Sequence, residues 1–189
     1  KHIILYHKPT GEICSTNDPN HKNTVFKNLP KLDAGRWIQV GRLDLNTSGL
    51  LLFTTDGQLA HKLMHPKYEI ERVYLARVFG QVNQQTITNL THGNGVKLED
   101  GFAKFNKLNY VNTPSKQQQK SHNQNQWFEC VLSEGRNREV RRLWESQNCQ
   151  VNKLIRINFA KIPLPENLKP GKFIYLNPQQ IQSLYKQTS

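Results

Sequence analysis

Short apolar stretches separated by polar turns recur along the whole chain. Most of these stretches are rich in β-branched and aromatic residues, which favour extended backbone. The pattern predicts strands over residues 3–6, 37–40, 50–54, 72–79, 102–111, 127–133, 149–159 and 173–176.

Four other segments have the spacing of helices, and they cover residues 58–64, 83–90, 138–147 and 178–185. In the third of them Val140, Leu143 and Trp144 fall on one face of a helix, and Pro66 ends the first. Because strands outnumber helices and do not alternate with them, we expect an α+β fold around a mostly antiparallel sheet.

Residues 112–126 are rich in Gln, Asn, Ser and Lys and have no apolar anchor. Such a composition is typical of a flexible surface loop between two strands. A loop that touches RNA through Lys116 and Lys120 is the alternative interpretation.

The charge of the chain narrows the choice of partner. Its 189 residues contain 26 Lys and Arg against 14 acidic residues, a formal net charge of +12. Such an excess favours a polyanion, because each neutralised phosphate releases counterions. The longest apolar run, residues 49–53, is too short to span a bilayer, so we expect nucleic acid rather than a membrane as the partner.

Other composition signals argue against cofactors. The three cysteines form no CxxC pair, so we expect free thiols in a reducing compartment and no metal site. His61 and His65 have helical spacing but lack the glutamate of an HExxH motif, and no phosphate-binding glycine loop is present. The strand-like start of the chain does not look like a signal peptide, which favours a cytoplasmic protein.

The segment 41–57 contains the candidate catalytic residue. It places a single carboxylate, Asp44, on a polar turn beside Arg42 and directly before an apolar strand. A lone acid in this position is typical of a nucleophile or a charge stabiliser. The alternative is an aspartate that only caps its own turn, which is a common role in loops.

This segment resembles the signature motif of the RNA pseudouridine synthases, in the branch that acts on bacterial ribosomal RNA. Residues 8–11, 134–143 and 162–165 resemble further motifs of the same family, in the same order. The resemblance implies a mixed sheet with flanking helices and a central RNA-binding cleft. It also implies one catalytic domain over residues 1–189, without the S4-like RNA-binding module that usually precedes it in relatives.

The implied reaction converts a specific uridine of large-subunit (23S) ribosomal RNA to pseudouridine, without a cofactor or a metal. The resemblance makes Asp44 the catalytic aspartate, Arg141 the cation that keeps it ionised, and Tyr74 the residue that stacks on the flipped base. Arg142 is the neighbouring alternative to Arg141, since successive helical residues point about 100° apart. A strand tyrosine can also be simply part of the core.

The remaining basic motif residues are expected to contact RNA. This set consists of Arg42, Lys8, Arg136, Asn137, Arg138, Arg142, Lys153 and Arg156. We expect a monomer. Two other functions stay open at this point: a non-catalytic RNA-binding or ribosome-assembly protein on the same fold, and a metal-dependent ribonuclease.

Overall fold

The computed structural model describes residues 1–16, 20, 23–111 and 125–189. The predicted loop at residues 112–126 lies almost entirely outside the described residues. The chain forms two compact units. The first unit consists of Lys1–Arg72 and Ile155–Ser189, and the second unit is Val73–Leu154.

The strands and helices are numbered in chain order. The strands are β1 (Ile3–Lys8), β2 (Ile38–Val40), β3 (Ser48–Thr54), β4 (Arg72–Phe79), β5 (Val96–Leu98), β6 (Gly101–Ala103), β7 (Lys107–Val111), β8 (Asn125–Leu132), β9 (Gln150–Phe159), β10 (Ile162–Pro163) and β11 (Phe173–Tyr175). The α-helices are α1 (Gly57–Met64), α2 (Gln84–Thr91), α3 (Glu139–Glu145) and α4 (Pro178–Gln187).

The sheet of the first unit is built on β1 and β3. Strand β1 pairs antiparallel with β11 on one side and with β3 on the other, and β2 also pairs antiparallel with β3. The end of β9 pairs parallel with the start of β3, where Ser48 faces Ile155 and Gly49 faces Arg156. The sheet is therefore mixed and mostly antiparallel.

Both faces of this sheet are covered. On one face Leu50 and Leu52 join a core with residues of α1 and α4, such as Leu59 and Leu184. On the other face the ring of Phe26 packs edge-on against Phe53, with 5.4 Å between the ring centroids. Burial on both faces explains why β3 is continuously apolar instead of alternating.

Helix α1 begins at a well-made cap. The side chain of Asp56 accepts hydrogen bonds from the backbone N–H of Gln58 at 3.1 Å and of Leu59 at 3.3 Å. It also accepts a 2.6 Å hydrogen bond from the hydroxyl of Tyr185 on α4. This one carboxylate therefore joins the start of α1 to α4.

The second unit contains its own part of the large sheet and its own core. Strand β4 lies between β9 and β8, and β7 pairs antiparallel with β8. Helices α2 and α3 supply Leu90, Leu143 and Trp144 to the core on one face of this sheet. Strands β5 and β6 form a separate two-stranded hairpin.

The α+β class and the mostly antiparallel sheet are as predicted, but the predicted strand at residues 102–111 is wrong. It is divided into β6 and β7, because Phe105 turns into the core between them and its N–H donates to Leu90 O at 2.8 Å. The short strands β5 and β10 were not predicted. In the described ranges no helix is long and apolar enough to cross a membrane.

Candidate active site

Asp44 lies on the connection between β2 and β3, two strands that pair with each other in the first unit. The side chain of Asp44 is half-buried, and that of Arg42 is exposed. Leu43 and Thr47 on either side are buried. The connection is thus anchored on both sides of the carboxylate.

Backbone hydrogen bonds hold the shape of this connection. The N–H of Thr47 donates to Asp44 O at 3.0 Å, which closes a tight turn after the aspartate. The N–H of Gly11 donates to Leu45 O at 2.8 Å. On the other side the N–H of Leu43 donates to the sulfur of Cys14 at 3.4 Å. Asp44 is therefore held by bonds that do not use its own carboxylate.

Lys8 supports the same connection, and its expected contact with RNA stays a prediction. Its side chain is fully buried, and its ammonium donates to Thr47 O at 2.8 Å and to Pro9 O at 2.9 Å. Burial lowers the pKa of Lys8, and the nearby charges of Cys14, Glu12 and Asp44 act in the opposite direction. Lys8 is therefore a positioning residue in the first unit.

Gly49 allows a close approach between two backbones. A Cβ atom on Gly49 would lie 2.2 Å from the carbonyl oxygen of Arg156, and the glycine has a φ of +112°. Both facts exclude any other residue at the point where β3 and β9 run side by side. Gly49 therefore fixes the strand that leaves the Asp44 connection.

Arg156 is a second predicted RNA contact whose side chain is buried. Only 2% of the residue is exposed, and its Nε donates to Leu50 O at 2.8 Å. Its guanidinium lies over the ring of Phe159, 4.9 Å from the centroid. Arg156 is therefore a buried cation that binds β3 to β9 within the first unit.

Tyr74 and Arg141 belong to the second unit. Tyr74 is half-buried on β4 and packs against the core of that unit. Arg141 is buried on α3, and its Nη1 donates to Val151 O at 3.0 Å. Asp44 belongs to the first unit. Its pairing with Arg141 and the stacking of Tyr74 on the target base stay predictions.

The other basic motif residues of the second unit differ in their surroundings. Arg142 donates twice to Asp100, with Nη1 to Oδ1 at 2.8 Å and Nη2 to Oδ2 at 2.9 Å. The Nη2 of Arg136 lies 3.2 Å from Glu134 Oε1. Both cations are therefore already paired with acids. The exposed members of the set are Asn137, Arg138 and Lys153.

A buried carboxyl group stands directly before Arg141. Only 3% of Glu139 is exposed, and one carboxyl oxygen accepts from the N–H of Arg136 at 3.1 Å. Burial and a hydrogen bond with Glu134 raise the pKa of Glu139 to about 8. The loop at residues 134–138 is thus closed by a carboxyl group whose ionised form is disfavoured by burial.

Sequence reasoning missed Cys14, Asp100 and Glu139. The pattern of cysteines predicts only free thiols, and nothing in the neighbours of Cys14 indicates that its sulfur accepts from the N–H of Leu43. Asp100 lies in a polar turn, and no sequence pattern links it to Arg142. For Glu139 the sequence contains one signal of a special role, which is an acidic residue inside the basic motif of residues 134–143.

Comparisons with known proteins agree with the motif resemblance. Residues 2–146 match the model of a protein family described as RNA pseudouridylate synthase. Over 182 residues the chain is 50% identical to the ribosomal large subunit pseudouridine synthase B of Escherichia coli strain K12. The matched region covers 96% of this chain and 59% of that protein. It is 51% identical over 175 residues to the protein of the same name from Yersinia pestis, covering 93% and 52%.

A solved structure gives the same result for the fold. The crystal structure of a pseudouridylate synthase matches with a TM-score of 0.80 at 26% identity, over 97% of this chain and 73% of that one. This chain spans about 59% of the length of the first of its curated relatives. The family match covers most of the chain, and the chain therefore belongs to the RNA pseudouridylate synthase family.

Proposed function

We propose that this protein isomerises a specific uridine of large-subunit ribosomal RNA to pseudouridine. Membership of the family and the shared name of relatives that are about half identical support the reaction and the RNA. The observation that carries the proposal is the family motif at residues 41–57, with Asp44 on a connection held by its own backbone. The free thiols agree with a cytoplasmic site of action.

In this reaction the bond between uracil N1 and C1′ of the ribose breaks, and a bond between C5 and C1′ forms. The proton of C5 leaves and N1 gains one, so no external reagent is consumed. We propose that Asp44 is the nucleophile and that Arg141 keeps it ionised. Tyr74 supplies a flat face for the extruded base, at a position where its own ring is half-buried.

The anchoring of the Asp44 connection has a direct role in this proposal. A nucleophile must be held near its target in one geometry, and misplacement by about 1 Å can cost a hundredfold in rate. Lys8 and Gly11 donate hydrogen bonds to the backbone around Asp44, and Cys14 accepts one from it. The backbone that carries Asp44 is therefore positioned by contacts within the first unit.

The test is a conversion assay with Asp44→Asn as the matched variant, because Asn keeps the size of the side chain and removes its charge. Parent protein is incubated with a uridine-containing stem-loop of large-subunit ribosomal RNA, and pseudouridine is mapped. We expect conversion by the parent and at least a thousandfold slower conversion by Asp44→Asn, in the range seen when a nucleophile is removed.

Other outcomes assign the protein to the alternative functions. Binding of the stem-loop without conversion by the parent would make it a non-catalytic RNA-binding protein. Strand cleavage that a chelator abolishes would make it a metal-dependent ribonuclease. We expect conversion to be unchanged by a chelator.

Arg141→Ala and Arg142→Ala separate the two neighbouring arginines. If Arg141 keeps Asp44 ionised, its loss reduces turnover far more than RNA affinity. Arg142 is paired with Asp100, so its loss is expected to reduce turnover much less than the loss of Arg141. Equal losses of turnover and affinity in Arg141→Ala would instead make Arg141 a phosphate contact.

A further inference from the structure

Phe102 is exposed in an unusual setting. It lies on β6 with 54% of the residue accessible, although phenylalanine is normally buried. Its partner across the hairpin is Lys97 on β5, which is also exposed. Residues paired across two strands lie on the same face, so the outer face of this hairpin presents an aromatic ring beside an ammonium group.

The other face of the hairpin fixes its orientation. Val96 and Leu98 pack against the core of the second unit, and Ala103 is part of that core. Gly95 has a φ of +76°, and a Cβ atom there would lie 2.1 Å from Ala103 O, so the hairpin starts at a close backbone contact. The outward position of Phe102 is therefore built into the packing of the second unit.

The turn of the hairpin is tied to the loop at residues 134–138. Asp100 accepts two hydrogen bonds from Arg142 and lies 3.6 Å from Nη1 of Arg136. The same Arg136 donates through Nη2 to the carbonyl oxygen of Phe102 at 2.8 Å. These bonds involve the turn before β6 and the middle residue of β6, so the hairpin and the loop form one surface.

This surface has the chemistry of a contact with unpaired RNA. An exposed aromatic ring offers a stacking face to any base, and cations around it attract the backbone. Here the exposed cations are Lys97 on the hairpin and Arg138 on the loop. A contact with another protein would favour a larger apolar patch than one ring among charges.

We propose that the hairpin of residues 96–103 binds single-stranded RNA, with Phe102 stacking on a base and Lys97 contacting a phosphate. Asp100 is a positioning residue that joins the hairpin to the loop. The inference rests on the proposed function only in taking RNA as the ligand. It extends the RNA-binding surface to a hairpin that lies outside the family motifs at residues 8–11, 41–57, 134–143 and 162–165.

Binding of the ribosomal stem-loop, measured by fluorescence anisotropy at several salt concentrations, tests this proposal. We expect Phe102→Ala to weaken binding roughly tenfold with an unchanged salt slope, as for the loss of one stacked base. Phe102→Trp should restore the affinity and Phe102→Leu should not, because leucine has no aromatic face. Tyr175→Ala is the matched control, since Tyr175 is also 54% exposed but lies in the first unit.

Lys97→Gln tests the proposed contact between Lys97 and a phosphate. It should lower the slope of log affinity against log salt by about 0.7 to 0.9, the value for one phosphate contact. The proposal is overturned if Phe102→Ala binds within twofold of the parent, or if Phe102→Leu binds as well as the parent. Melting curves confirm that each variant is folded.

The outcome is separable from that of the proposed reaction. If the parent converts uridine but Phe102→Ala binds normally, the hairpin proposal fails and the enzyme remains. If the parent binds RNA through Phe102 without converting uridine, the hairpin proposal stands and the proposed reaction fails. A stable complex with another protein that needs Phe102, together with RNA binding that does not, overturns the choice of RNA.

Discussion

At Gly49 the space between two strands is smaller than one methyl group. Alanine there would place Cβ 2.2 Å from Arg156 O and would also have to adopt a φ of +112°. Overpacking and positive φ each cost about 1–3 kcal/mol, so we expect Gly49→Ala to lower the free energy of unfolding by about 3 kcal/mol or more. Urea denaturation measures the difference from the parent.

Gly35→Ala is the control for this substitution. Gly35 has a φ of +81°, but an added Cβ would meet nothing within 4 Å. We therefore expect Gly35→Ala to lower the free energy of unfolding only by the cost of placing alanine at a positive φ, which is about 1 kcal/mol. Equal losses in the two variants would show that the contact between β3 and β9 has no effect of its own.

Glu139 gives the second unit a dependence on pH. Its pKa is raised by burial from an ordinary value of 4.5 to about 8, so the folded state holds a proton that the unfolded state releases. Its contribution therefore makes stability fall as pH rises from about 4.5 to about 8. Glu139→Gln cannot ionise, and we expect its stability to decline less over this range.

Melting temperatures at several pH values between 5 and 9 test this expectation. The control is Glu145→Gln, on the same helix but exposed. A pH profile of Glu139→Gln that runs parallel to the parent profile would show that Glu139 is already ionised in the folded protein.

Residues differ in how far sequence predicts them. Gly49 could be predicted, because a glycine inside an apolar strand indicates a close backbone contact. Lys8 could not, because a lysine in a polar turn at the end of a strand is usually exposed. Its ammonium is buried only because Pro9, Leu45 and Thr47 turn their carbonyl groups towards it, which is a property of the folded backbone.

The start of α1 depends on one carboxylate. Hydrogen bonds, above all from Tyr185, lower the pKa of Asp56 to about 2 from an ordinary value of 3.8. Its contribution to stability is thus present above about pH 4 and is lost as pH falls through about 2. We expect Asp56→Ala to lower the free energy of unfolding at pH 7 by about 1–2 kcal/mol, the usual cost of a lost cap.

Asp56→Asn separates the cap from the charge. Asparagine caps helices as well as aspartate does. At pH 7 we therefore expect Asp56→Asn to lower the free energy of unfolding less than Asp56→Ala does. It should also lose less stability than the parent between pH 4 and pH 2, as followed by circular dichroism. A decline in Asp56→Asn as steep as that of the parent would assign the acid sensitivity to other groups.

Elements were predictable where one pattern covers the whole segment. Strand β4 matches its predicted range, and each α-helix was predicted within a few residues of its bounds. The prediction failed at residues 102–111, where Phe105 interrupts the sheet to fill the core. The alternation of side chains does not reveal this change of direction, because it depends on a partner, Leu90, in another element.

Across the whole molecule the three thiols are buried and free. Burial raises the pKa of each of them, that of Cys130 to about 12. Since the thiolate is the reactive form, we expect slow reaction of the native protein with a thiol reagent at pH 8. In guanidinium chloride all three should react at once, and rapid labelling of the native protein would contradict this burial.

The α+β class and the basic charge were predictable for the whole chain, because both follow from sums over many residues. The arrangement of the basic residues was not. Lys8, Arg142 and Arg156 look equivalent in sequence, yet Lys8 holds carbonyl groups, Arg142 pairs with Asp100 and Arg156 is buried on Phe159. Only folding separates a structural cation from one that can meet a phosphate.

The fastening of the Asp44 connection through main-chain atoms has a practical consequence for protein engineering. The bonds from Lys8 and Gly11 end on the peptide oxygen of Leu45, whatever side chain that position carries. Leu45 itself points outward, with 43% of its surface accessible. Position 45 can therefore be randomised next to the acid while the acid keeps its geometry, which makes it a natural starting point for altering target preference.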